Sequence, residues 1–124
     1  MRAISFVAIG GAAGSVLRYL LTKRIGVADS GFPAATFAVN VVGSFVLGVL
    51  IGLIAARFST DIRTGLFVGL LGGFTTYSTF AFESAVLVRD GMAGVAASYV
   101  VATLVFGVGA AWLGLIVGEM ATVG

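Results

Sequence analysis

Hydroxyl-bearing residues and paired glycines interrupt an otherwise apolar run in the third quarter of the chain. They are Gly72, Gly73, Thr75, Thr76, Ser78 and Thr79. The charge-free run that holds them, Thr64 to Phe82, is about long enough to cross a bilayer. Glycine pairs lower helix propensity and hydroxyl groups compete for backbone hydrogen bonds, so the pattern predicts a helix interruption near residues 72–76. Lipid tolerates an unwound turn only where it is buried in protein or lines a polar cavity, so this stretch fits an ion or substrate site.

The same stretch has a second interpretation, a continuous helix whose hydroxyl groups bond back to its own carbonyls. In either case Tyr77 and Phe80 are three residues apart, so both rings project to one side of a helix. Thr76, Thr79 and Glu83 share a neighbouring side. Glu83 lies just past the charge-free run, so it either anchors the helix at the interface or belongs to a polar pathway.

A second set of polar and small residues recurs every fourth position earlier in the chain. The set is Thr36, Asn40, Ser44, Gly48 and Gly52. This spacing places them on one face of a helix. For Gly48 and Gly52 we expect helix packing through small residues. A carboxamide in the middle of a membrane span is costly unless it is hydrogen-bonded, so Asn40 is either a link between helices or a ligand donor.

The composition indicates an integral membrane protein. Of 124 residues, 60% are hydrophobic and 10% are charged, and the mean hydropathy is +1.18. The chain has no Cys and no His, so it lacks thiol chemistry and the usual transition-metal ligands. Its five acidic residues are scattered and form no obvious catalytic pair, so we do not expect an enzyme. The seven Lys and Arg residues form no stripe with interleaved aromatics, which argues against nucleic acid as a partner.

The hydropathy pattern predicts one all-α membrane domain, residues 1–124, with four spans. They cover about residues 3–24, 33–56, 62–88 and 92–117. The first span imitates a signal peptide, but three more spans follow it, so we expect it to be retained. Gly11, Gly14, Ser15 and Arg18 share one face of this span, which is small and ends in a cation.

The basic residues are distributed almost evenly between the two ends of the predicted bundle. Four spans place three of them on one side and four on the other. The positive-inside rule therefore has almost no basis for choosing an orientation. We hypothesise an antiparallel homodimer with its two-fold axis in the membrane plane, which would pair each polar face with an inverted copy.

Three motifs in this order resemble the signature segments of the small fluoride channels, the Fluc or CrcB family. They are GGAAGSVLRY at residues 10–19, TFAVNVVGSF at residues 36–45 and GLLGGFTTYSTF at residues 69–80. The resemblance extends over essentially the whole chain, including its length and number of spans. Each motif alone would be weak, whereas the three together are specific.

The resemblance implies a dual-topology antiparallel homodimer in the inner (plasma) membrane, with two pores that passively export fluoride from the cytoplasm. It further implies an interrupted third helix that holds a central structural Na⁺ through backbone carbonyls, which carry over to Gly72 and Thr75. The implied fluoride-pathway residues are Asn40, Tyr77, Ser78, Thr79, Phe80, Tyr99, Thr103, Glu83 and Arg18. Two positions depart from the family pattern: Tyr77 replaces a more usual phenylalanine, and Gly107 stands where a hydroxyl residue can occur.

Elementary chemistry agrees with this set. Fluoride is strongly hydrated, so a pore must replace its water with donors such as the Asn40 amide, the span hydroxyls and the Tyr99 phenol. Aromatic rings have positive edges, so Phe80 can meet an anion edge-on while pore width excludes larger anions. Neutral donors hold the anion weakly enough for it to leave, and Arg18 near a span end would concentrate anions at the mouth.

Two other classes compete with a fluoride channel. Small multidrug transporters also have four short spans in an antiparallel pair, but their coupling chemistry needs an acidic residue deep in the first span. Here that span has no acidic residue before Arg18. A structural or assembly subunit would explain the glycine faces but not Asn40 together with the hydroxyl cluster.

Overall fold

The computed structural model describes residues 1–54 and 57–123. Three helices are continuous: α1 (Arg2–Ile25), α2 (Ala34–Ile54) and α6 (Ala93–Val123). The third apolar stretch consists of α3 (Thr60–Thr64), a π-helix (Gly65–Leu71), α4 (Gly72–Phe74) and α5 (Tyr77–Arg89). Within the described residues, four stretches are long and apolar enough to cross a membrane, which confirms the prediction of an all-helical membrane protein. The predicted end of the second span, at residues 55–56, lies outside the described part.

Helix α1 packs against the first half of the third stretch through glycine. A methyl group added at Gly14 would overlap the carbonyl oxygen of Leu70 and lie 2.9 Å from the backbone nitrogen of Phe74. A Cβ at Gly69 would lie 2.8 Å from the carbonyl oxygen of Val7. The small face predicted for the first span therefore brings two helix backbones into direct contact.

Helix α2 packs against α6 in the same way. A Cβ at Gly48 would overlap the carbonyl oxygen of Ala111, and one at Gly52 would lie 2.7 Å from the carbonyl oxygen of Leu115. This confirms that Gly48 and Gly52 serve helix packing. It also brings the polar half of α2, with Asn40, beside the third stretch.

The regular helix of the third stretch is interrupted at Thr75 and Thr76. Their backbone angles are extended, with φ −81° and ψ 158° at Thr75 and φ −149° and ψ 116° at Thr76. Gly72 and Gly73, which we expected to unwind the helix, are themselves helical. Gly73 serves close packing instead, since a Cβ there would lie 2.7 Å from the carbonyl oxygen of Gly11, whereas a Cβ at Gly72 would lie 3.8 Å from its nearest neighbour, the carbonyl oxygen of Phe67. The β-branched threonines adopt the extended conformation that suits them.

Candidate functional site: a polar cleft at the interruption of the third helix

Asn40 pairs with the backbone at the interruption. Its Nδ2 donates to the carbonyl oxygen of Thr76 at 3.0 Å, and its Oδ1 accepts from the N–H of Thr76 at 2.8 Å. The sequence left open whether this carboxamide links helices or offers a donor to a ligand. The structure shows the link, and the second proton of Nδ2 remains available to a ligand.

The Thr76 side chain caps the helix that follows. Its Oγ1 accepts from the N–H of Thr79 at 3.3 Å and donates to the hydroxyl of Thr79 at 3.0 Å. Threonine is a favoured residue at a helix N-terminus because this bond satisfies a backbone donor that has no partner within the helix. Thr79 accepts from Thr76, so it keeps its own hydroxyl proton.

These side-chain bonds remove the usual hydrogen-bond donors of two backbone carbonyl groups. In a continuous α-helix the N–H groups of Thr76 and Thr79 would donate to the carbonyls of Gly72 and Thr75. Here they donate to the side chains of Asn40 and Thr76 instead. The carbonyls of Gly72 and Thr75, which are implied as sodium ligands, therefore lack the donors that a continuous helix would give them.

Arg18 also reaches the interruption. Its Nε donates to the carbonyl oxygen of Gly73 at 3.1 Å, and the side chain is partly buried. A cation near the C-terminal end of a helix is favourable because the exposed carbonyls there carry partial negative charge. The structure thus places this residue at the end of α4, where it stabilises the broken helix.

A cleft of about 370 Å³ lies beside the interruption. Of the residues implied for the pathway or the cation, six line it: Asn40, Gly72, Thr75, Tyr77, Phe80 and Thr103. Among the side chains of the described residues, the hydroxyl of Thr103 is buried without a hydrogen-bond partner. Such a group costs free energy unless something else binds it, so Thr103 holds an unused donor in the wall of the cleft. Gly107 lines the same cleft, and a Cβ there would meet no atom within 4 Å.

The two aromatic residues after the interruption differ in exposure. Their ring centroids are 6.1 Å apart and the rings are tilted by 51°. Phe80 is half-buried, whereas Tyr77 is 80% exposed on the single chain. Ser78 is also exposed and lies outside the cleft lining.

Glu83 belongs to a second polar cluster with two buried residues. Its Oε1 accepts from the hydroxyl of Thr36 at 2.9 Å, and its Oε2 accepts from the phenol of Tyr99 at 2.7 Å. Thr36 is 4% exposed and Tyr99 is fully buried. The carboxylate is therefore held by donors from α2 and α6, which favours the alternative of a polar cluster over that of a freely exposed anchor.

The Tyr99 ring connects this cluster to the cleft. It packs edge-on against Phe80 with centroids 5.2 Å apart, and against Phe32 with centroids 5.4 Å apart. Because its proton is donated to Glu83, the phenol in this arrangement offers fluoride no donor of its own.

Several site residues did not stand out in the sequence. Thr76 was noted only as a member of the hydroxyl cluster, yet it both pairs with Asn40 and caps α5. Ser44, whose hydroxyl donates to the carbonyl of Asn40 at 2.7 Å, also lines the cleft. The four-residue repeat that contains Thr36, Asn40 and Ser44 was the available signal for that face.

Comparison with known proteins identifies the family. The model described as "CrcB-like protein, Camphor Resistance (CrcB)" matches residues 5–115. A protein of Methylobacillus flagellatus named fluoride-specific ion channel FluC is 44% identical, over 92% of this chain and 92% of its own. Proteins of the same name from Agrobacterium fabrum (44% identical, 94% of this chain and 95% of its own) and Novosphingobium aromaticivorans (47%, 93% and 94%) are also similar. The chain therefore belongs to the CrcB-like family.

Proposed function

We propose that this chain forms a fluoride-selective passive channel in the bacterial inner membrane and exports fluoride from the cytoplasm. The observation that carries the proposal is the cleft lined by Asn40, Phe80 and Thr103, where the buried hydroxyl of Thr103 has no partner in the described chain. The relatives named as fluoride-specific channels support the same function. Membership of this family also removes the multidrug-transporter alternative.

Selectivity follows from the kind of groups that line the cleft. The free proton of the Asn40 amide and the hydroxyl of Thr103 are neutral donors that replace water around a small, strongly hydrated anion. The edge of the Phe80 ring adds a weak positive contact, and Tyr77 adds a ring with a phenol. Several weak contacts let the ion leave, whereas a lysine or arginine in the cleft would hold it.

The remaining pathway residues lie outside the lining of this cleft. Thr79 keeps a hydroxyl proton for the anion, and Ser78 offers another on the exposed side of α5. Glu83 and Tyr99 act as a pair, because the phenol holds one carboxylate oxygen and reduces the negative field that fluoride meets. Arg18 contributes a positive charge at the interruption while it holds the Gly73 carbonyl.

The functional unit in this proposal is an antiparallel homodimer with two pores. Gly72, Tyr77 and Ser78 are exposed on the single chain although they lie in the middle of the third span. Backbone and hydroxyl groups at that depth need protein around them rather than lipid. A second copy related by a two-fold axis in the membrane plane would cover this face with its own equivalent.

A structural sodium ion between the two copies belongs to the same proposal. The fit rests on the Gly72 and Thr75 carbonyls, because their helical donors are bound to side chains and their oxygens suit a hard cation. The two-fold related copy would supply a second such pair. When bound, the ion supplies positive charge that offsets the carbonyl ends of both broken helices.

Growth in fluoride tests the function in cells. A bacterial host whose own fluoride exporter has been deleted should regain growth in fluoride medium when it expresses this chain. A Phe80→Ile variant, present in the membrane at the same level, should not restore growth because the ring edge at the cleft is lost. Failure of the unmodified, membrane-inserted protein to restore growth would contradict the proposal.

A further inference from the structure

We propose that Thr76 and Asn40 are positioning residues for a cation bound by the carbonyls of Gly72 and Thr75. The inference rests on the sodium part of the proposed function and goes beyond it. It assigns the formation of the cation site to two side chains that do not bind the ion themselves. One of them, Asn40, also lines the anion cleft.

The first step is the release of the Thr75 carbonyl. The backbone N–H of Thr79 would close an α-helical turn on this carbonyl, but it donates to the Thr76 hydroxyl at 3.3 Å. The Thr76 side chain thus takes the place of the carbonyl as acceptor. Without that hydroxyl the N–H of Thr79 loses its acceptor, and with it goes a bond that holds the extended backbone of Thr75 and Thr76 at the start of α5.

The second step is the orientation of the same carbonyl. The Thr75 carbonyl and the Thr76 N–H belong to one planar trans peptide, in which the two groups point in opposite directions. Asn40 binds this N–H at 2.8 Å, so the Thr75 carbonyl points away from the Asn40 side chain. The second bond, from Nδ2 to the Thr76 carbonyl at 3.0 Å, fixes the following peptide as well.

Asn40 acts on the carbonyls implied for the cation from a position in the cleft proposed for the anion. A carbonyl oxygen that turned toward the cleft would repel an anion there, and it could no longer bind the cation. Asn40 donates one amide proton to the Thr76 carbonyl and, because its Oδ1 accepts from the Thr76 N–H, turns the Thr75 oxygen away from its own side chain. The same bond that takes the Thr76 N–H removes the helical donor of the Gly72 carbonyl. One side chain therefore orients the Thr75 carbonyl and takes the helical donor away from the Gly72 carbonyl.

A sodium titration of thermal stability tests this inference without measuring transport. The purified dimer would be unfolded in NaCl and in N-methyl-D-glucamine chloride at equal ionic strength. The parent protein should gain stability as sodium replaces the organic cation. Thr76→Val keeps the shape of the side chain but removes the acceptor, and it should raise the sodium concentration for half-maximal stabilisation about tenfold or more.

Matched variants separate positioning from a general loss of stability. Thr76→Ser keeps the hydroxyl and should retain the sodium response of the parent. Thr76→Ala provides a second variant without the acceptor, should Thr76→Val not yield folded protein, and should show the same loss. A Thr76→Val or Thr76→Ala protein with the parent's sodium response would overturn the inference.

A parent protein whose stability does not respond to sodium would overturn the cation site and this inference together. The proposal of a fluoride channel would still stand, because it is tested by transport measurements. The two proposals therefore fail in different experiments.

Discussion

At the scale of single residues, the Thr103 hydroxyl gives the sharpest prediction. It is buried without a partner in the described part of the chain, so it lowers stability unless an anion or water binds it. Thr103→Val should raise the free energy of unfolding by about 1 kcal/mol and yet lower the fluoride efflux rate about tenfold. Thermal unfolding and efflux from vesicles, measured on the same preparation, check the two effects.

The control for that variant is Thr122→Val, the same change at an exposed position near the end of α6. It should leave both quantities close to those of the parent. If Thr103→Val lowered the free energy of unfolding as well as the efflux rate, the hydroxyl would stabilise the fold and would not be assigned to ion binding.

Asn40 carries a second prediction at this scale. Asn40→Asp removes the donor to the Thr76 carbonyl and adds a negative charge at the cleft. We expect efflux to be abolished and the free energy of unfolding to fall by about 1–3 kcal/mol, while the dimer still forms. Efflux assays and size-exclusion chromatography check this, with Ser84→Ala as a polar-to-apolar control in the same bundle. Normal efflux from Asn40→Asp would remove Asn40 from the pathway.

At the scale of helices, close backbone contacts set the position of the interruption. Gly14→Ala would place a methyl group on the Leu70 carbonyl and should lower the free energy of unfolding by about 1–3 kcal/mol. Gly94→Ala, where an added Cβ meets no atom within 4 Å, should be neutral or slightly stabilising because alanine favours helix. Thermal midpoints of the two proteins test this, and equal midpoints would show that the α1 contact is looser than described.

The helices also show what the sequence could and could not predict. The repeats at Gly48 and Gly52 and the small face of the first span predicted packing surfaces, because helical periodicity alone places such residues. The interruption lies at Thr75 and Thr76, inside the predicted range of residues 72–76, but the two glycines of that range are helical. Gly73 is helical where it packs closely on α1, while Thr75 and Thr76 are extended where Asn40 holds the backbone of Thr76. Such contacts come from another helix, so local propensity does not contain them.

The polar site was predictable to a similar degree. The sequence predicted Asn40 and the hydroxyl cluster as site residues, since polar groups inside an apolar span are costly and commonly functional. It did not pair Glu83 with Thr36 and Tyr99, which lie 47 and 16 residues away along the chain. That cluster depends on how three helices meet, and no spacing within one helix reveals it.

At the scale of the whole molecule, the proposed dimer predicts a definite labelling pattern. The chain has no cysteine, so Thr122→Cys introduces a single thiol at an exposed position near the C-terminus. In an antiparallel dimer about half of the thiols should react with a membrane-impermeant maleimide added outside sealed vesicles. Lysis should expose the other half. The same labelling should be repeated on intact cells, where insertion sets the orientation of each chain. Labelling of all thiols or of none from outside the cells would contradict the antiparallel arrangement.

The central claim, a selective and passive fluoride pathway, is tested most directly by ion release from vesicles. Proteoliposomes loaded with KF or with KCl would be diluted into low-halide buffer, and valinomycin would remove the voltage that opposes anion exit. Halide electrodes outside would then record the two rates. The account predicts rapid fluoride release with little chloride release. Equal release of both ions, or no fluoride release from a verified dimer, would contradict it.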